Sequence, residues 1–346
     1  MSEKIHFLPW ERKEEFREFL KKCGVLDEIR KGYRVGLKIH FGEKGNPHHI
    51  PPYLVKIVGE VIKDKGAKCW LIDSNVLYRG MRARTSTHLE VAKEHGFMDI
   101  GVPVKIAGDF AQEREMEVIV NLKHFRKVYI LEDFLEFDYL ILLTHFKGHA
   151  LAGIGGSIKN LSMGCASRKG KYKMHSKMIP QIKEELCTGC GTCAKHCPGE
   201  AIKVKNGKAE IIEGKCLGCG ECIQVCPAKA ISIPWESVKS EEFQERLVEY
   251  AFGIWKERKG SIFAINFLHS LSPDCDCLSK PAPPLAPDVG IVAGKNIVEV
   301  DEFSLKKTIE VKGYHAPEGV DKFLHHRPNI PTHIQMEYGK KLFTPL

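Results

Sequence analysis

The sequence predicts an α/β fold: a doubly wound, mostly parallel sheet interrupted by a small cysteine-rich α+β module. Three observations carry that expectation. Strand-like and helix-like segments alternate from Tyr33 to Thr144, the pattern that builds parallel sheets covered by helices on both faces. Between Lys183 and Ile233 the alternation breaks, and eight of the thirteen cysteines crowd into that stretch. Strand patterns resume beyond Pro234, so the module reads as an insertion rather than a terminal appendage. The expected organisation is 1–182 for the first part of the α/β domain, 183–233 for the insert, and 234–346 for its second part with a C-terminal tail.

In chain order, Trp10 to Arg30 reads as one or two helices with Phe16, Phe19 and Leu20 on one face. Tyr33 to Phe41 alternates as a strand. Pro51 to Lys65 has helical periodicity, with prolines in its first turn where their missing N–H costs nothing. Cys69 to Asp73 is a continuous apolar strand, and Thr85 to His95 a short helix closed by Gly96. Val102 to Ile106, Met116 to Val120 and Val128 to Leu131 are further strands; Asp138 to Thr144 is the clearest buried one. After the module come a helix with Phe243, Leu247, Tyr250, Ala251 and Ile254 on one face, then strands at Ile262 to Phe267, Val289 to Val292 and Val298 to Val300. The His- and Pro-rich tail from Gly313 reads as a surface wrap.

Cys187 to Pro227 contains the run C-x2-C-x2-C-x3-C-P written twice. In such runs three thiolates wrap one cubane cluster, while the fourth, redirected by the following proline, serves the cluster of the other run. Cys187, Cys190, Cys193 and Cys226 would thus hold one 4Fe-4S centre, and Cys216, Cys219, Cys222 and Cys197 the second. Zinc sites group their ligands differently, as separated C-x2-C pairs without the trailing C-P. Asn206-Gly207 between the runs is a hairpin signal, and AIKV is echoed by AISI, so the insert has the doubled form of a bacterial two-cluster ferredoxin. Two adjacent clusters make a path for electrons; a purely structural role is the alternative.

Composition narrows the classes further. No apolar run approaches the roughly 18 residues of a membrane span, and the charged start MSEKIHFLPWERKEEF is unlike a signal peptide. Cysteine usage of this kind suits a reducing cytoplasm. The formal charge is +8, brought nearer to about +4 if each oxidised cluster with its thiolates carries about −2. No basic block with interleaved aromatics suggests nucleic acid. Basic residues instead sit inside motifs, which points to a small anionic ligand or an acidic redox partner protein.

Polar residues gather after the carboxyl ends of predicted strands, the edge where open α/β sheets bind ligands. Lys38 and His40 follow the first strand, Asp73, Tyr78, Arg79 and Arg82 the second, and His145, Lys147 and His149 the buried one; Asn266 and Asp274 follow Ile262 to Phe267. A Gly-rich turn, with Gly155 and Gly156, leads to Lys159 and Asn160 and would offer backbone N–H groups to an anion. The expected site is an anionic ligand met by Lys38, Arg79, Arg82, Lys147 and Lys159, with His145, His149 or Lys159 in the chemistry. His40, His145, His149 and His175 could be proton donors, metal ligands or satisfied polar groups, the H-F-K-G-H spacing being a far weaker metal signal than H-E-x-x-H on a helix. Cys165, Cys275 and Cys277 could form a third cluster or metal site, a redox thiol site, or simply pack; Cys23 and Cys69 sit in apolar patterns.

Taken together, GEKGN, D-S-N-V-L-Y-R-G-M-R, T-H-F-K-G-H, G-G-S-I-K-N-L-S-M-G-C-A, the two cysteine runs, P-D-C-D-C and P-D-V-G-I resemble the ferredoxin-bearing branch of the family called domain of unknown function 362. The resemblance spans about residues 33 to 301 and implies two 4Fe-4S clusters and the α/β architecture, without a substrate. G-K-N-I-V-E-V-D, ending at Asp301, departs from that family's more usual D-P-V-A-x-D. The leading expectation is an iron-sulfur oxidoreductase acting on an anion at the sheet edge. The alternatives are a ferredoxin-type carrier or binding protein serving a separate enzyme, and an iron-sulfur or metallocofactor assembly factor. Seven lysines against six acidic residues between Lys183 and Ile233 leave the insert weakly charged, which favours an internal partner over a freely steered carrier.

Overall fold

The structure, a computed structural model, describes residues 4–109 and 113–343. The strands are β1 (His6–Pro9), β2 (Arg34–Lys38), β3 (Lys68–Ser74), β4 (Val104–Ala107), β5 (Glu115–Ile119), β6 (Lys127–Leu131), β7 (Tyr139–His145), β8 (Lys147–His149), β9 (Gly153–Gly155), β10 (Gln181–Ile182), β11 (Ile202–Lys205), β12 (Lys208–Ile211), β13 (Ile231–Ser232), β14 (Ile262–Leu268) and β15 (Gly290–Gly294). The helices are α1 (Phe16–Lys22), α2 (Pro52–Asp64), α3 (Thr85–Glu94), α4 (Ser157–Cys165), α5 (Arg168–His175), α6 (Thr192–Lys195), α7 (Glu221–Val225), α8 (Ser240–Glu257), α9 (Ile297–Glu310), α10 (Lys322–His326) and α11 (Ile334–Leu342).

Seven strands form the central sheet in the order β1-β15-β14-β7-β2-β3-β4. β14, β7, β2, β3 and β4 run parallel; at one edge β15 pairs antiparallel with β14, and β1 antiparallel with β15. The fold is therefore mixed α/β with a mostly parallel centre. The apolar run of β7 explains its middle position: Leu140 and Leu142 pack into the core on one face, Ile141 and Leu143 into the core on the other, and every residue of the strand is buried. Each such side chain contributes about 1.5–3 kcal/mol on leaving water.

Three segments differ from the reading of the sequence. β5 and β6 pair with each other as an antiparallel ribbon under α8 instead of joining the main sheet. The short connection between them holds no crossover helix, which parallel pairing requires. Val298 to Val300 lies inside α9, because Asn296 caps that helix by accepting the Val298 N–H at 3.0 Å and the Glu299 N–H at 3.3 Å. Nor is the tail only a wrap: Phe323 and Met336 join the core, and Gln335 donates to the Ala152 and Ile154 carbonyls at 2.8 and 3.0 Å.

Between α5 and α8 the chain leaves the sheet. β10 pairs with β13 and β11 with β12, the latter turning at Asn206-Gly207, both at positive φ. A separate apolar cluster, including Cys193, Ile202, Cys222, Ile223 and Ile231, supports this part and includes Leu77 and Tyr172 from the α/β body. Among the described residues no helix is long and apolar enough to cross a membrane.

Candidate functional site

The carboxyl ends of β2, β3 and β7 and the loop after β14 open onto a cavity of about 510 Å³. β2 brings Lys38, β3 brings Asp73 and Ser74, and β7 brings Thr144 and His145. β8, β9 and α4 add Lys147, His149, Gly155, Lys159 and Asn160; α5 adds Lys171 and His175; the loop after β14 adds Cys275 and Cys277. Arg82 and His40 complete the polar wall. Five cations, Lys38, Arg82, Lys147, Lys159 and Lys171, face two carboxylates, Asp73 and Glu236, so the lining favours an anion.

Several of these cations are already committed within the protein. Lys38 Nζ donates to the Ile39 carbonyl at 3.1 Å, Asp73 Oδ1 at 2.9 Å and Asn160 Oδ1 at 3.0 Å, so its three hydrogens serve the protein. Asn160 is likewise engaged, donating to the Leu143 carbonyl and Thr144 Oγ1. Lys147 Nζ donates to the His145 carbonyl at 2.8 Å and pairs with Asp276 Oδ2 at 2.8 Å. Arg82 NH2 donates to the Tyr78 hydroxyl at 2.6 Å, but its Nε has no hydrogen-bond acceptor, Glu43 Oε2 lying at 3.5 Å. Arg79 is not at the cavity: Nε and NH2 donate to the Ile223 and Cys226 carbonyls at 2.6 and 2.7 Å and fasten the cysteine-rich part. Lys159 and Lys171, which pair with no carboxylate among the described residues, and Arg82, whose Nε lacks an acceptor although Asp73 Oδ2 lies 3.6 Å from its NH1, thus remain as the cationic face offered to a ligand.

The histidines fall into distinct roles. His145 Nδ1 faces Asp276 Oδ1 and Nε2 faces the His269 carbonyl, both at 2.8 Å, so both nitrogens are occupied by protein acceptors and neither is turned to a ligand. Burial would raise the Asp276 carboxyl, but the charges of His145 and Lys147 outweigh it and hold it well below the usual carboxylate range. His149 Nδ1 accepts from the Leu151 and Ala152 N–H groups at 3.1 and 2.9 Å, which leaves its proton on Nε2. His40 Nδ1 accepts the Gly42 N–H at 3.0 Å, and burial followed by the charge of Arg82 keeps the ring neutral. Burial also drives His175 down to about 3, so it lines the cavity as an uncharged ring.

Of the three spare thiols the structure brings two together. Cys275 and Cys277, two residues apart on one loop, both front the cavity, as does His149, and Lys159 Nζ lies 3.7 Å from Cys275 Sγ. The Cys277 side chain, then Lys159 and His149, hold the Cys275 thiol well below its ordinary value despite burial. Cys165, the last residue of α4, lies apart in the apolar core, where burial pushes its thiol up to about 12.

The N–H groups of Ser157 and Ile158, which follow the Gly-rich turn, are not offered to the cavity. The carboxylate of Asp301, from α9, accepts the Ser157 N–H at 2.7 Å and the Ile158 N–H at 2.9 Å, and also the Asn266 amide at 2.8 Å. The first two N–H donors of α4 are therefore satisfied by the chain itself. Gly156 makes room for it: any Cβ there would collide with the Asp301 carboxylate. Asn266 and Asp301 thus form a buried support beneath the site.

The eight cysteines of the double run stand around two hollows. Cys187, Cys190, Cys193 and Cys226 line one; Cys197, Cys216, Cys219 and Cys222 line the other. Backbone N–H groups of Ala209, Ala230 and Ala201 donate to the sulfurs of Cys187, Cys226 and Cys197 at 3.4, 3.3 and 3.2 Å, and such bonds stabilise a ligating thiolate. Among the described residues no three His, Cys, Asp or Glu side chains converge on a single metal ion. Thiols set around a hollow instead suit a cluster, whose metal atoms keep their cysteine sulfurs farther apart than one tetrahedral ion does. Close backbone approach is also built in, since a Cβ at Gly189 would strike the Gly207 carbonyl.

This part is docked firmly on the cavity wall. Gln224 Nε2 donates to the Leu77 and Tyr78 carbonyls at 2.6 and 2.7 Å, and buried Glu221 pairs with Arg168 at 3.3 Å and Arg84 at 3.1 Å. Leu77 and Tyr78 also line the cavity. Gly220 of the second hollow abuts Leu77, and Gly218 abuts Tyr172, whereas Cys190 of the first hollow is exposed.

Sequence reasoning passed over Lys171, Gly164 and the roles of Asp276 and Asp301. Lys171 Nζ donates to Ser74 Oγ at 2.9 Å and the Ala166 carbonyl at 2.6 Å, and burial lowers it to about 8. It is one of four basic side chains in R-K-G-K-Y-K-M-H, and nothing in that run marks which one turns inward. A Cβ on Gly164 would come within 2.5 Å of Lys38 Cε, so this glycine leaves room for the lysine. Its place in G-G-S-I-K-N-L-S-M-G-C-A was the available signal.

No curated protein matches this chain. Among solved structures, the lactate racemase apoprotein from Thermoanaerobacterium thermosaccharolyticum is similar at 15% identity and a TM-score of 0.37, over 73% of this chain and 48% of that one. A protein from Thermotoga maritima is similar at 12% identity and a TM-score of 0.41, over 84% and 57%. The chain thus spans about half the length of each. The sequence model of the family called domain of unknown function 362 matches residues 35–306, and the chain belongs to that family.

Proposed function

We propose that the protein is an iron-sulfur oxidoreductase in which a two-cluster, ferredoxin-like insert delivers low-potential electrons to an anionic ligand in the cavity at the sheet edge. One observation carries this reading. The cysteines divide into two sets of four, crossed between the two runs, and the set around Cys216 rests against the Leu77 to Tyr78 segment that also walls the cavity. When bound, the two 4Fe-4S clusters would supply one electron each. Cys190, exposed on the outer set, marks where a redox partner protein would dock.

The chain's own residues do the rest. Arg82, Lys159 and Lys171 draw an anion into the cavity and fix its charged end. His149, held with its proton on Nε2 by two backbone N–H groups, is the proton donor placed beside the ligand space. Lys38, Asp73 and Asn160 brace β2, β3 and α4 around it.

Iron and acid-labile sulfide on protein purified without oxygen test the reading. About 8 of each per chain is the expected result, from two cubanes of four irons. A zinc-loaded protein, or iron near 4 per chain, overturns it. Turnover lost in Lys159→Ala with cluster spectra unchanged separates the enzyme from a carrier, which would reduce its partner equally fast.

A further inference from the structure

The loop after β14 is fastened at alternate residues. Asp274 accepts from Arg327 NH2 at 2.5 Å and from the Ala282 N–H at 2.8 Å, while Asp276 takes His145 and Lys147 at 2.8 Å each. The residues between and beyond them, Cys275 and Cys277, both front the cavity, two positions apart on the same loop. Lys159 Nζ lies 3.7 Å from Cys275 Sγ and His149 lines the same cavity, an environment that favours a thiolate. Cys165, buried in the core elsewhere, leaves this a pair rather than a three-cysteine metal site.

We propose that Cys275 and Cys277 are a redox-active dithiol that closes to an intramolecular disulfide and exchanges an electron pair with the two clusters. The proposal rests on the iron-sulfur reading. In the reductive direction the S–S bond breaks as two electrons enter, one from each reduced cluster. Cys275 emerges as a thiolate beside Lys159 and His149, and Cys277 takes up one proton. In the oxidative direction the S–S bond forms, that proton leaves, and the two electrons return one to each oxidised cluster. Two one-electron centres are matched to one two-electron couple, which lets the cavity deliver electrons in pairs.

The test uses a convenience of the sequence. Trypsin cutting after Lys259 and Lys295, with Lys280 protected by Pro281, gives a peptide whose only cysteines are Cys275 and Cys277. Holoprotein is equilibrated anaerobically across dithiothreitol redox buffers, quenched in acid, alkylated and digested. The expected result is an unalkylated peptide two hydrogens lighter, appearing as one two-electron transition. In stepwise reduction of oxidised holoprotein with titanium(III), bleaching of the clusters is expected to lag until two electrons per chain are consumed. Cys277→Ser, with iron content retained, should remove that lag. Alkylation of both cysteines at every potential, or an identical lag in the variant, overturns the proposal. If the clusters themselves are absent, iron analysis shows it, and the peptide titration still reports on the thiols.

Discussion

Asp301 caps the helix that begins at Ser157, its two carboxylate oxygens accepting the Ser157 and Ile158 N–H groups at 2.7 and 2.9 Å. It occupies the place where the Gly-rich turn would otherwise receive an anionic ligand. Asp301→Asn replaces one acceptor oxygen with an amide donor facing a backbone N–H. The expected loss of stability is about 2 kcal/mol, read from urea unfolding, with the cavity cysteines still alkylatable in the folded protein.

The same carboxylate gives a pH signature. Burial outweighs the hydrogen bonds and raises Asp301 to about 6 from an ordinary 3.8. Its protonated form is thus favoured in the folded state, so its contribution is fully present below 3.8 and is lost as pH rises through about 6. The wild-type stability curve should carry a falling component across that window. Asp301→Asn should lack it, as denaturant midpoints between pH 4 and 7 would reveal.

Lys159 is expected to keep Cys275 ionised together with Cys277 and His149. Lys159→Ala should slow alkylation of Cys275 by iodoacetamide at pH 7 by about tenfold, the equivalent of one pKa unit. The check is the pH profile of the alkylation rate, which should move to higher pH. An unchanged profile would assign the low thiol value to Cys277 and His149 alone.

Lys171 sets a second pH dependence at the cavity. Burial lowers it to about 8, so it is charged below that pH and neutral above it. Anionic iodoacetate should therefore lose rate relative to neutral iodoacetamide as pH rises through about 8, by about fivefold for the loss of one nearby charge. Lys171→Met should flatten that ratio.

Arg79 ties the cysteine-rich part to the α/β body through the Ile223 and Cys226 carbonyls. Arg79→Ala removes two charge-assisted bonds, worth about 1.5–3 kcal/mol each. Faster hydrogen exchange confined to residues 183–233 is expected, with the pH profile of Cys275 alkylation unchanged because Arg79 does not reach the cavity. Loosening throughout the sheet would contradict this division of labour.

The legible parts of the site were those in which residue type and spacing specify chemistry directly. The double cysteine run assigned its thiols to two crossed sets, and the structure arranges them around two hollows in those sets. The placement of polar residues after strand ends drew attention to the carboxyl edge, because β2, β3, β7 and β14 are parallel and so end on the same side. Lys38 illustrates the limit: its type and position suggested ligand binding, but Asp73 and Asn160, 35 and 122 residues away along the chain, consume its hydrogens.

The sequence by itself determined the alternation that makes a parallel sheet and the spacing that groups eight thiols, since both depend on local periodicity and on residues near one another in the chain. Only the tertiary structure decided which charges are spent and which are free. Asp301 fills an anion cradle 144 residues away, Arg79 turns to the cysteine-rich part, and Cys275 meets Lys159 while Cys165 stays in the core. The physical reason is that a side chain's availability is set by what packs opposite it, and the packing partner comes from a distant strand or helix that local pattern does not register.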